Sequence, residues 1–571
     1  MPQAPASPGS LPGWGSPVAG PASGAQPRAS SAGSARSLGL APVSRFAVRI
    51  PSISSANSDR FAVGIDLGTS GLKVALCRAD GGIVSRATRA IETRLVAGGG
   101  AEQDADEIWT KTRAAVREAV RAAEVEPAAI VAVRCVSQYS SVLPVDPKCT
   151  PIGPLITWMD VRGAEHNMAI YARHPEAFET WLEVHGIIPL PSGNDSLAHM
   201  LHVKMSSPDT YDKAAAFLEP MDFLNGKLTG RLAANVCSAF MFLLTDNRDL
   251  TSLEYHPDLL AMAGIEPTKL PELIPLGSPV ARLLPEVSED LGLSADTMVY
   301  PGFNDTQAGA LAAGVVDCEH GALDIGTTSV LIARMDRKDT DAENQIVSMP
   351  SPIEGRYLVM AENGLGGKTL EHFLRNVVHT RDALGDHRVE DLFHGVEAVM
   401  GETNPGAGGV VFLPWLNGSF APRDNPRMRG GFLNVSLETQ RAQLLRAVLE
   451  GVGYSVRWLF EPVESFCGHD IDHLVFGGGA AASDSWSQIL ADILGRPVHQ
   501  LEDAGFANCR AAALLALSDA GVVSRDDLNA LVAVRAVYQP NLSNQSLYDE
   551  LFNQFVASYE RTQPLFEALN P

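Results

Sequence analysis

Two α/β domains of related fold facing one another are what this sequence predicts, on three observations. First, Asp66-Leu67-Gly68-Thr69-Ser70 recurs in the second half as Asp324-Ile325-Gly326-Thr327-Thr328. Second, each copy sits between short apolar, β-favouring runs, so each reads as a hairpin with a glycine-rich turn. Third, strand and helix patterns alternate along both halves, as in α/β architectures. A chain of 571 residues is also longer than one hydrophobic core usually spans.

Taken in order, residues 1–58 are rich in Ala, Ser, Gly and Pro and hold Arg28, Arg36, Arg45 and Arg49 with no Lys, Asp or Glu. Such a stretch cannot bury enough apolar surface to offset its ordering entropy, so we expect a disordered extension over 1–59. A targeting segment and a start placed too far upstream are the other readings of that composition. The folded part is expected as an N-terminal domain over 60–315 and a C-terminal domain over 316–571. Phe61 to Asp66 and Lys73 to Cys77 flank the first turn as strands. A helix from about Asp106 to Ala123 follows, with Asp104 and Glu107 spaced as a capping box. Ile130 to Ser137 reads as a strand, and short helices run on to about Leu293. Gly321 to Asp324 and Ser329 to Ala333 form the second hairpin. Asn541 to Leu569 is a helix with Leu547, Leu551, Phe555 and Tyr559 as its apolar stripe.

Composition narrows the function classes. Lys plus Arg is 44 against 67 for Asp plus Glu, a net charge of −23. So acidic a surface repels phosphate backbones and anionic lipid, which argues against nucleic-acid and membrane partners. No uncharged apolar run approaches the roughly 18–20 residues of a membrane-spanning helix. The cysteines at 77, 135, 149, 237, 318, 467 and 509 are scattered and form no C-x-x-C. A reducing, cytoplasmic location is therefore expected, without a disulfide framework or a cysteine zinc site.

Four segments carry candidate chemistry. In the two D-x-G-T-[ST] turns, glycine permits close approach of a ligand, and hydroxyls with turn N–H groups suit phosphate oxygens. Asp66 could hold a hydrated Mg²⁺ there, with Lys73 adding positive charge. Asp305, in Gly302-Phe303-Asn304-Asp305-Thr306-Gln307, follows an apolar strand (Met298 to Tyr300) and opens an Ala/Gly helix. It is placed either to accept a hydroxyl proton or simply to cap that helix. Val475 to Ser483 runs from an apolar strand through three glycines into a helix over Trp486 to Leu494, a nucleotide-sized platform. Two decoys are set aside. Gly366-Gly367-Lys368-Thr369 lacks the leading glycine of a P-loop, Glu362 standing there. His199 and His202 have no third ligand at recognisable spacing and read as a solvated helix face.

These segments, in this order, resemble the FGGY family of carbohydrate kinases within the actin-like ATPase superfamily. The resemblance rests on GIDLGTSGLKVAL at 64–76, TWMDVRG at 157–163, GFNDTQAGALAAG at 302–314 and LDIGTTS at 323–329. It continues through GAGGVVFLPWLNGSFAPRDNPRMRGGF at 406–432, LLRAVLEGVGYSVR at 444–457 and FGGGAAASDSWSQILADILGRPV at 476–498. EQD at 102–104 and the GFND segment are most like xylulokinases. The fold so implied is α/β: two actin-like (ribonuclease H-like) domains facing across a catalytic cleft. The resemblance makes Asp305 the general base. It puts the ATP phosphates on Gly68, Thr69, Ser70 and Lys73, with Gly326, Thr327 and Thr328 closing from the other domain. Asp66 would hold Mg²⁺ through water. Gly367, Glu371, Gly478, Gly479 and Ser483 match positions around the nucleotide.

The sugar pocket departs from the family pattern. Xylulokinases usually show G-Q-M-H-G where this chain has Ser137-Gln138-Tyr139-Ser140-Ser141, and Thr306 follows the catalytic Asp. Arg510 stands where the family usually has a small glycine. Gln138, Tyr139, Ser140, Asp160, Asp305 and Thr306 are the expected substrate contacts, a hydroxyl-rich set suited to a polyol. The expectation is ATP- and Mg²⁺-dependent phosphorylation of a small sugar or polyol, a ketopentose such as D-xylulose in first place. Ribulose, gluconate, erythritol or glycerol kinases, and a non-catalytic sugar- and nucleotide-binding regulator, are the alternatives. Homodimerisation is left open.

Overall fold

The computed structural model describes residues 58–315 and 319–570. The extension expected over 1–59 lies outside them but for Ser58 and Asp59, and so does Cys318. Two β-sheets organise the described chain. The first is built from β1 (Phe61–Leu67), β2 (Gly71–Arg78), β3 (Ile83–Ala90), β4 (Ile130–Ser137), β5 (Ala281–Arg282) and β6 (Met298–Asn304), in the order β5-β6-β4-β1-β2-β3. β1 and β2 form the expected antiparallel hairpin, Asp66 opposite Lys73, and β4 and β6 add in parallel.

The second sheet repeats this plan. It comprises β7 (Gly321–Ile325), β8 (Thr328–Met335), β9 (Thr340–Asp341), β10 (Ile346–Pro350), β11 (Tyr357–Leu365), β12 (Leu474–Gly477), β13 (Val498–Leu501) and β14 (Val534–Tyr538). Its order is β9-β10-β11-β8-β7-β12-β13-β14, with β7–β8 an antiparallel hairpin and β12 parallel to β7. Each glycine-rich turn thus closes a hairpin at the heart of its sheet, and the next parallel strand lies on the hairpin's other side.

Several helices place the site. α1 (Ala105–Ala123) packs on β3 and β2, and α2 (Asp305–Ala312) follows β6 directly. α3 (Gly367–Phe373) follows β11, and α4 (Asp484–Leu494) follows β12. α5 (Ala507–Asp519) belongs by sequence to the second half, yet it lies against β1, β2 and β4 of the first sheet and against α2. An alanine-rich helix can do this because small side chains let backbones approach closely. Ala511, Ala512, Ala513 and Ala516 share one buried cluster with Ala62, Ala75, Ala132 and Val136.

Three local expectations are corrected. Asp104 caps α1, accepting from the N–H groups of Asp106 and Glu107, but Glu107 makes no return bond and pairs with Lys111 one turn on. The last helix, α6, begins at Gln545 and ends at Leu569. Its buried stripe is Tyr548, Leu551, Phe555 and Tyr559, while Leu547 is 39% exposed. Tyr548 takes the inward place because its hydroxyl can donate to Glu450 at 2.9 Å, which no leucine could. His199 is fully buried, not on a solvated face; its Nε2 meets the Asp160 carbonyl at 3.0 Å, and burial pushes its pKa down to about 4. His202, by contrast, is half-buried. None of the six described cysteines is in a disulfide, and no described helix is long and apolar enough to cross a membrane.

Candidate active site

The first turn is braced from three sides. The Thr69 hydroxyl donates to Gln138 Oε1 at 2.7 Å and accepts from Trp158 Nε1 at 2.9 Å. Gln103 Nε2 donates to the Thr69 carbonyl at 2.8 Å, and Gln138 Nε2 closes a ring by donating to Gln103 Oε1 at 2.9 Å. Gly68 N–H bonds the Gly71 carbonyl across the turn, and Ser70 is exposed at its tip. Lys73 Nζ lies 3.7 Å from Asp66 Oδ2. Burial raises the Asp66 pKa against the opposing pull of Lys73.

The second turn gathers the start of α3. Gly366 and Lys368 N–H groups donate to the Thr327 carbonyl, and Gly367 N–H donates to the Gly326 carbonyl at 2.9 Å. A Cβ on Gly367 would stand 2.5 Å from that Gly326 oxygen, so only glycine fits. Gly478 has φ +76 and would place a Cβ 2.5 Å from Asp324 Oδ1. Gly326, Thr327, Thr328, Gly367 and Gly478 therefore form one cluster. The neighbourhood of Gly479 is open. Ser483 and Glu371 are otherwise engaged. Ser483 caps α4 through Trp486 N–H and bonds Glu397, while Glu371 pairs with Lys368 and Arg375.

Asp305 is not the helix cap. Asn304 is, accepting from Gln307 N–H at 2.8 Å, and Gln307 Oε1 accepts from Asn304 N–H at 3.0 Å, a complete capping box. This leaves Asp305 as the first residue of α2, its side chain bonded only to Thr306 N–H among the described residues. Burial, then the charge of Asp66 and more weakly that of Asp324, push its pKa up to about 7. Asp324 itself is held up at about 6 by burial, with Lys73 opposing. It is a site residue the sequence reading overlooked, although it occupies in the second turn the place of Asp66 in the first. Its Oδ2 lies 3.8 Å from where a Cβ on Gly309 would be, one turn along α2 from Asp305.

Asp66, Asp305 and Asp324 thus lie close enough to act on one another, with Lys73 beside Asp66, a donor set with more negative than positive charge. Among the described residues no three His, Cys, Asp or Glu side chains converge closely enough to hold a bare ion. So acidic a set would suit a divalent cation that keeps its own water.

On the acceptor side, Tyr139 lies beside Thr306, and its hydroxyl reaches Met360 Sδ of the second sheet at 3.5 Å. Burial and the nearby Asp305 and Glu362 charges raise its pKa. Ser140 is buried with φ +54, in the left-handed region. Asp160 is fully buried and both its oxygens are taken: Ala101 N–H donates at 3.0 Å, Arg162 N–H at 2.9 Å, and the Arg162 guanidinium at 2.6 Å. Arg162 also bonds Glu102 at 2.7 Å. Asp160 therefore fastens the EQD and TWMDVRG segments together and leaves neither oxygen unengaged. Arg510 is buried and donates to the Glu502 carbonyl at 2.6 Å.

Two α/β lobes of matching sheet topology, each with a hairpin closed by a glycine-rich turn, have the architecture of the actin-like ATPase fold. The chain belongs to the FGGY family of carbohydrate kinases: residues 61–312 match its N-terminal domain and 321–518 its C-terminal domain. It is 27% identical over 514 residues to the xylulose kinase of Bacillus subtilis (strain 168), covering 89% of this chain and 99% of that one. The gluconokinase of the same organism is 23% identical over 475 residues, covering 82% of this chain and 89% of that one. Among solved structures, xylulose kinase from Rhodospirillum rubrum superposes with a TM-score of 0.76 at 25% identity, covering 89% of this chain and all of the other. Gluconate kinase from Lactobacillus acidophilus superposes at 0.77 with 20% identity, covering 89% and 99%.

Proposed function

We propose that the protein transfers the γ-phosphoryl group of ATP to a hydroxyl of a ketopentose, D-xylulose first, with Asp305 as general base. The carrying observation is that Asn304 and Gln307 relieve Asp305 of capping, so a carboxylate of raised pKa stands ready at the junction of the two turns. Asp305 takes the proton of the acceptor hydroxyl as its oxygen bonds the γ-phosphorus and the bond to the bridging oxygen of ADP breaks. Lys73 and the hydroxyls of Ser70, Thr327 and Thr328 orient the phosphates, while the N–H groups of Gly68, Gly326 and Gly367 hold the turns in shape by bonding carbonyls within them. Asp66, with Asp324 across the cleft, would hold a hydrated Mg²⁺ on the phosphates, where it offsets charge developing during transfer. Closure of the lobes excludes water and limits wasteful hydrolysis.

The test is Mg-ATP-dependent ADP release with D-xylulose, D-ribulose, D-gluconate, erythritol and glycerol, in wild type and Asp305→Asn. A hit with D-xylulose and a loss of about 10²–10⁴-fold in the variant support the reading. Activity unchanged in Asp305→Asn dismisses Asp305 as base, and silence with every acceptor favours a non-catalytic binding protein.

A further inference from the structure

Successive residues of a strand point to opposite faces, so Leu358, Met360 and Glu362 of β11 share one face, and Val359 and Ala361 the other. Val359 and Ala361 lie in the core of the second lobe. Leu358 and Met360 instead belong to a cluster that joins Ala322, Ile332 and Met349 of the second sheet to Val142, Ile156 and Phe240 of the first lobe. Glu362 is the next member of this inward row, beside the Met360 whose sulfur meets the Tyr139 hydroxyl. It is partly buried, and its carboxyl makes no hydrogen bond or ion pair among the described residues.

The charges around this spot are of one sign. Asp305, Glu362 and Glu219 all act on Tyr139, and Glu219 also accepts from Ser141 N–H and the Ser196 hydroxyl. Among the described residues no Lys or Arg acts on Glu362 or on Glu219. A carboxyl group bonds hydroxyls well, whereas a bound anion here would be desolvated beside like charge with no cation to offset it.

Resting on the reading of this cleft as a sugar-kinase pocket, we propose that Glu362 is a specificity-determining acceptor contact and selects uncharged polyhydroxylated substrates, ketoses or alditols, over sugar acids. The experiment is calorimetric titration of the full chain with D-xylulose, D-arabitol and erythritol against D-xylonate and D-gluconate, with ADP release measured in parallel. Wild type is expected to bind its best uncharged ligand at least about 10-fold more tightly than either acid. Glu362→Gln, and independently Glu362→Asp, are expected to raise KM for that ligand by about 3–10-fold with kcat little changed, and Glu362→Gln to narrow the gap to the acids. A sugar acid bound as tightly as the uncharged ligands, no binding of any uncharged ligand, or an unaltered gap in Glu362→Gln overturns the inference. Selective binding without ADP release would instead reject phosphoryl transfer and leave the inference standing.

Discussion

Arg134 and Asp519 form a largely buried ion pair, Nη2 to Oδ2 at 2.6 Å, that ties β4 of the first sheet to the end of α5. Arg134 also donates to the Pro301 and Leu276 carbonyls. Removing one partner of such a pair strands the other charge in a dry environment, at a cost of about 3–5 kcal/mol. Asp519→Ala should therefore lower stability by that amount in denaturant unfolding. Arg525→Ala, which removes a more exposed partner of Asp519, should cost under about 1 kcal/mol. Equal effects would mean that burial does not set the strength of this contact.

α5 also crosses β1 at contact distance. A Cβ on Gly64 would fall 1.9 Å from the Cys509 carbonyl oxygen, a backbone atom that cannot swing aside. Gly64→Ala must therefore push α5 off the first sheet, and we expect a loss of about 2–4 kcal/mol or insoluble protein. Gly431→Ala, with nothing within 4 Å of the new methyl, is the matched control and should stay within about 1 kcal/mol. A neutral Gly64→Ala would show that the helix does not sit this close.

What the sequence made legible was local. The two hairpins could be read because each glycine-rich turn and its flanking strands are contiguous, and Ile130–Ser137 appears as a strand with the bounds expected. What stayed hidden depends on contacts distant in sequence. His199 is buried because the Asp160 carbonyl, on a separate loop, meets its ring. Asp160 reads as a polar pocket residue until Arg162 and Ala101 are seen to occupy it. Leu547 and Tyr548 are equally apolar in pattern, and only the position of Glu450 decides which turns inward. Glu362 carries no motif, and its importance follows from strand pairing that sets it opposite Val330 and facing the first lobe.

Both ends of the Gln138 amide are committed, Oε1 to Thr69 and Nε2 to Gln103. Its contribution is then to hold the first turn in shape more than to grip the acceptor. Gln138→Ala should raise KM for ATP and lower kcat, together about 10-fold or more, with KM for the sugar changed less than about 2-fold. Thr69→Ser keeps the hydroxyl and should retain most activity. A rise confined to the sugar KM would return Gln138 to the role of substrate contact.

Asp305 gives a prediction with a definite sign. A base with its pKa raised to about 7 must be ionised to accept the acceptor's proton, so kcat/KM should fall as pH drops through about 7 and not near the ordinary carboxylate value. The same shift bears on stability. The folded-state value lies above the unfolded one, so the unfolded chain ionises first as pH rises. Stability from this group is complete below about pH 4 and is lost as pH climbs through about 7. Asp305→Asn removes that loss. In ligand-free protein it should be about 1–3 kcal/mol more stable than wild type at pH 8, with the gap shrinking to under about 1 kcal/mol at pH 4.5. Urea unfolding at the two pH values checks this, and an equal effect at both would mean that the carboxyl is not held in a desolvating, like-charged cleft.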